Sequence, residues 1–119
     1  MEEKIEFGKH YIVELIDCDP ELLKKTEQVK DRFIQAAEIS NATIIDTKFK
    51  QFNPTGVSGL ILIAESHFTI HTWPESGYAG VDIFTCGEQM DPELAVETLV
   101  KSFKAKRHHV KVITRGIPA

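Results

Sequence analysis

The chain has 119 residues, 42% of them hydrophobic and 27% charged, and carries a formal net charge of −4. That length holds one domain around one modest core, and that composition excludes a disordered chain. Acidic and basic residues are interspersed, so no basic stripe is present to neutralise phosphates, and nucleic acid is excluded as the main partner.

The first residues, Met1-Glu2-Glu3-Lys4, are charged and lack an apolar segment, so no signal peptide is expected. The longest apolar run, Leu60-Ile61-Leu62-Ile63-Ala64, is far short of the ~20 residues that span a bilayer. Two cysteines, Cys18 and Cys86, do not make a disulfide framework, which points to the cytoplasm.

In chain order, Tyr11 to Ile16 is β-rich and predicts a first strand. Asp19-Pro20 supplies an N-cap and a proline at the first helical position. Val29, Phe33, Ala36 and Ala37 recur at helical spacing, so a helix is predicted from there to about Ser40. Thr43 to Phe52 predicts a second strand, Asn53-Pro54-Thr55-Gly56 a turn, and Val57 to Ala64 a third strand of central, apolar character. His67 to Trp73 alternates as a fourth strand, Pro74 to Gly77 breaks it, and Tyr78 to Thr85 returns as a fifth. Asp91-Pro92 caps a second helix with Ala95, Leu99 and Phe103 on one stripe. The basic run from Lys104 to His109 is placed at that helix's end, where the dipole favours it. His109 to Thr114 predicts the last strand.

Strand, helix, four strands, helix, strand implies an α+β two-layer sandwich: a mostly antiparallel sheet with two helices on one face. Two helices leave the other sheet face uncovered, and a second copy of the chain is the simplest cover, so a homodimer is expected.

Against that background, Glu65-Ser66-His67 and Thr69-Ile70-His71-Thr72-Trp73-Pro74-Glu75 hold a combination that burial alone does not require. In a strand His67 and His71 stand ~13 Å apart, too far to share one ion, so no metal site is expected. A hairpin folded about Ser76 brings Ser66 opposite Cys86, with Cβ atoms ~5 Å apart.

From Gly8 to Arg115 the chain resembles the short prokaryotic pyruvoyl-dependent S-adenosylmethionine decarboxylases. The motifs that carry the resemblance are Phe52 with Gly56-Val57-Ser58-Gly59, Glu65-Ser66-His67, Thr69 to Glu75, and Thr85-Cys86-Gly87. Four motifs in one order at compatible spacing are specific where any one alone would be weak. The resemblance implies that the Glu65–Ser66 bond cuts itself, leaving residues 1–65 (β chain) and 66–119 (α chain). Ser66 would become the pyruvoyl cofactor, which forms a Schiff base with the substrate amine. It further implies His71 as processing base, Ser58 as its assistant, Cys86 as proton donor, Phe52 stacking on adenine and Glu75 binding the ribose hydroxyls. Aromatic and carboxylate suit those last two tasks physically.

Self-cleavage needs a sharp bend at Glu65-Ser66, donors for an oxyanion and a base. Ser66 and His71 lie ~16 Å apart along an extended strand, so each active site is expected to be composite. Ser66 and Cys86 would come from one chain, and Phe52, Ser58, His71 and Glu75 from its partner. Two alternatives are weighed. The same chemistry could act on another amino acid such as arginine, for which Phe52 and Glu75 have no use. A non-catalytic dimeric binding module would instead stay as one uncut chain.

Overall fold

A computed structural model describes residues 4–119; the charged N-terminal residues 1–3, on which the reading of the leader rests, lie outside the described residues. Six strands, β1 (Ile5–Ile16), β2 (Ile44–Gln51), β3 (Val57–Ile63), β4 (Ser66–Trp73), β5 (Tyr78–Thr85) and β6 (Arg107–Ile117), form one sheet in the order β2-β3-β4-β5-β1-β6. Every neighbouring pair is antiparallel. Helices α1 (Thr26–Ile39) and α2 (Pro92–Ser102) complete the chain. The predicted element order and the α+β sandwich are both present.

Alternation builds the core. In β3, Val57, Gly59, Ile61 and Ile63 are buried while Leu60 and Leu62 are exposed. In β4, Phe68, Ile70 and Thr72 are buried between less buried neighbours. These residues meet Val29, Phe33 and Ala36 of α1 and Ala95 and Leu99 of α2 in one cluster. Phe33 is the hub, with ring edges on Phe49 and Phe68 at 6.4 and 5.8 Å. A Cβ at Gly59 would enter the Phe49 ring, so any side chain there would force that ring to move. The opposite sheet face leaves Leu60, Leu62 and Trp73 between 42% and 46% exposed, an apolar surface that two helices cannot reach.

Two expectations are corrected. Asp19 does cap, accepting from the Glu21 N–H at 3.0 Å, but what it opens is a single 3-10 turn, Pro20–Leu23. The helix proper starts at Thr26 behind Lys25, which gives no side-chain cap. Its cap is tertiary: Gln51 Oε1 of β2 accepts from the Thr26 N–H at 2.7 Å and from its hydroxyl at 3.0 Å. The same Asp-Pro-Glu-Leu sequence at Asp91 behaves as expected, with Leu94 N–H on Oδ1 at 3.1 Å. The basic run is the second correction. Only Lys101 lies in the last turn of α2, and Arg107 to His109 already belong to β6, with Arg107 3.5 Å from Asp17.

Candidate active site

Ala64 and Glu65 make the two-residue turn between β3 and β4, closed by the pairing of Ile63 with Ser66. Ser66 has φ +154°, a value that residues other than glycine avoid at a cost of about 1–3 kcal/mol. The sharp bend expected at Glu65-Ser66 is thus present. Strain of this kind persists only where neighbours over-determine it. Here the Glu65 carbonyl oxygen accepts two hydrogen bonds from one residue, the Cys86 backbone N–H at 2.9 Å and its thiol at 3.0 Å. The Glu65 side chain is buried and bonded to Thr43, by the backbone N–H at 3.0 Å and the hydroxyl at 3.3 Å.

The hairpin register differs from expectation by one residue. Ser66 pairs with Thr85, and Cys86 stands one step beyond, beside Glu65. The 3-10 turn Pro74–Ser76, closed by Gly77 at φ +60°, shifts the fold axis off Ser76. The consequence is chemical, because the thiol meets the carbonyl side of the Glu65–Ser66 bond. Thr85 is buried, and its hydroxyl has no partner among the described residues.

At the other end of β4 lies a cavity of about 300 Å³ lined by Phe52, Gly56, Ser58, His71, Trp73 and Glu75. Ser58 and His71 are a cross-strand pair, and Ser58 Oγ lies 2.7 Å from His71 Nδ1. That bond fixes the ring and directs the opposite nitrogen, Nε2, away from Ser58. Trp73 packs beside His71 and Tyr78, with ring centroids 6.3 and 5.4 Å away. Phe52 is half exposed and stands on a loop held by Gln51, whose Nε2 is 2.8 Å from the Lys24 carbonyl and 3.1 Å from those of Phe52 and Gly56.

The structure therefore sorts the predicted residues into two groups. Phe52, Ser58, His71 and Glu75 share one cavity, while Glu65, Ser66 and Cys86 meet at the far end of the same strand. Thr43 and Gln51, which hold these groups in place, gave no signal in the sequence, because both act across tertiary contacts. His67 packs its ring edge on Phe84 at 5.7 Å. On the open face His10 Nε2 lies 2.9 Å from Asp82, which also accepts from Thr69 at 3.3 Å. Tyr78 donates a short bond to Glu14; burial first, then this carboxylate, pushes its phenol up to about 12. Cys18 is buried, which with help from Asp17 raises its thiol to about 11.

This arrangement is that of a decarboxylase fold already known. The crystal structure of the adenosylmethionine decarboxylase from Aquifex aeolicus VF5 matches with a TM-score of 0.88 at 33% identity, over 96% of this chain and 94% of that one. The S-adenosylmethionine decarboxylase family model matches residues 9–116, and the chain belongs to that family. The S-adenosylmethionine decarboxylase proenzyme of Thermodesulfovibrio yellowstonii is 50% identical over 110 residues, 92% of this chain and 82% of the relative. That of Thermococcus gammatolerans is 45% identical over 117 residues, 98% of this chain and 82% of the relative. No helix among the described residues is long and apolar enough to cross a membrane.

Proposed function

We propose that this protein decarboxylates S-adenosyl-L-methionine to S-adenosylmethioninamine, the aminopropyl donor for polyamine synthesis, using a pyruvoyl group made from its own Ser66. The observation that carries the reading is the Glu65 carbonyl: two Cys86 donors at 2.9 and 3.0 Å converge on it beside a strained serine. Those distances suit an oxyanion hole.

Self-cleavage then runs from this chain's own atoms. Ser66 Oγ attacks the Glu65 carbonyl carbon, and the Cys86 N–H and thiol stabilise the negative oxygen. The carbon–nitrogen bond breaks as the nitrogen takes a proton, leaving an ester. A base removes the Ser66 Cα proton and the Cβ–oxygen bond breaks, releasing residues 1–65 with a Glu65 carboxylate. The dehydroalanine left at position 66 takes up water and loses ammonia, which yields the keto group. His71, fixed by Ser58, suits the role of base.

The keto group supplies an electron sink for the loss of CO₂ from an amine-bearing substrate. Cys86, whose thiol donates to the Glu65 carbonyl next to position 66, suits the role of proton donor. Phe52 and Trp73 offer aromatic faces to a purine, and Glu75 offers a carboxylate to ribose hydroxyls.

The two groups of residues lie about 16 Å apart along β4, so one chain does not assemble both. A homodimer packed through the open, partly apolar sheet face would bring Ser66 and Cys86 of one protomer to Phe52, Ser58, His71 and Glu75 of the other. Intact-mass measurement tests the reading. The purified protein should contain residues 1–65 and 66–119, the latter with a blocked N-terminus. Ser66→Ala should stay whole and release no CO₂ from S-adenosylmethionine. An active protein that remains one chain, or is cut at another bond, sinks the cofactor assignment.

A further inference from the structure

The strained turn raises the question of what holds it. Cys86 holds only the carbonyl oxygen of Glu65, and it belongs to the segment that lies after the cut. The other anchor is Thr43, just before β2, and it reaches two consecutive turn residues. Its carbonyl accepts the Ala64 N–H at 2.8 Å. Its N–H donates to Glu65 Oε1 at 3.0 Å, and its hydroxyl lies 3.3 Å from Oε2. Glu65 is only 7% exposed, and the Thr43 bonds engage both its carboxylate oxygens. Burying a carboxylate in a surface turn is costly unless its bonds return that cost. A turn meant only to join two strands has no need of it.

We propose that Thr43 and the Glu65 side chain form a clamp that holds the 65–66 peptide in its reactive shape, making Thr43 a positioning residue for self-cleavage. The inference rests on the self-cleavage reading above. The clamp touches neither the Ser66 hydroxyl nor the departing nitrogen. It acts by keeping the Glu65 carbonyl on the Cys86 donors while Ser66 sits at a positive φ. Because Thr43 and Glu65 both lie before the cut, the clamp outlasts the reaction and keeps the new chain end at the site.

Cell-free synthesis followed by a gel time course measures the first-order rate of self-cleavage directly. Thr43→Val keeps the N–H bond and loses the hydroxyl bond, and should slow cleavage roughly tenfold. Thr43→Ser should restore the wild-type rate. Glu65→Ala loses both bonds and should slow cleavage roughly a hundredfold. Uncut Thr43→Val chains should resist hydroxylamine, since the block falls before the ester. Once cut, they should decarboxylate with the wild-type kcat per cleaved chain. Cleavage of Thr43→Val and Glu65→Ala at the wild-type rate overturns the clamp. So does a loss of kcat per cleaved chain equal to the loss of cleavage rate, which would mark Thr43 as merely structural. If the wild type itself is never cut, the self-cleavage reading fails and takes the clamp with it.

Discussion

Pairing two inactive chains gives the sharpest test of the shared site. Ser66→Ala removes the proposed attacking hydroxyl, and His71→Ala removes the proposed base, whose ring Ser58 holds at 2.7 Å. Five residues of extended strand separate the two positions, about 16 Å, several times the reach of a hydrogen bond. If each site takes Ser66 from one protomer and His71 from the other, a heterodimer of the variants holds one doubly substituted site and one wholly native site. Equal co-expression with random pairing gives half heterodimers, so about a quarter of wild-type activity returns. Heterodimers isolated through two different tags should show about half of the wild-type value. The gel carries a second readout, because only the His71→Ala chain should be cut, its serine facing the partner's intact histidine. No cut chain and no activity in isolated heterodimers would refute the shared site while leaving the decarboxylase assignment standing.

Cys86→Ala keeps the backbone donor to Glu65 but loses the thiol. It should self-cleave roughly a hundredfold more slowly and show no decarboxylation once cut, as followed by gel and CO₂ release. Gln51→Ala frees the loop that carries Phe52. It should raise KM for S-adenosylmethionine roughly tenfold with kcat and cleavage unchanged, and a fall in kcat alone would contradict this role. Thr85→Val removes a buried hydroxyl that has no partner among the described residues. It should leave Tm unchanged or slightly higher, and a clear drop would mean that the hydroxyl is bonded after all. Cys18 has its thiol raised from 9.0 to about 11, so the folded state favours the neutral form. Its contribution to stability is complete below pH 9 and lost as pH rises through 11, which denaturant titrations of wild type and Cys18→Ala would compare. At neutral pH iodoacetamide should label exposed Cys86 well before Cys18.

Most of the architecture was legible from local chemistry. Alternation in β3 and β4, the helical stripe of Val29, Phe33, Ala36 and Ala37, and the Asp91-Pro92 cap each act over a few residues, and each stands where periodicity puts it. Bounds of strands slipped for a different reason. β1 and β6 extend well beyond their apolar stretches because their edges pair with each other, from Ile5 with Ile117 to Ile16 with Arg107. The candidate site was legible through the resemblance: a glutamate followed by a serine is common and says nothing alone, and the roles given to Ser58, Ser66, His71 and Cys86 came with four motifs standing in one order.

The sequence by itself determined the order of elements, the face each strand buries and the identity of the chemical groups, all set by local sterics and by the two- and 3.6-residue periods. Only the tertiary structure decided that α1 starts at Thr26, because its cap is a glutamine from β2. It also decided that Cys86 meets Glu65 and leaves Thr85 opposite Ser66, because a 3-10 turn consumed one residue of the hairpin. The bonds from Thr43 to Glu65 bridge 22 positions, and those from Gln51 to Thr26 bridge 25. No local pattern records them: their free energy is realised only after the sheet has brought those segments side by side.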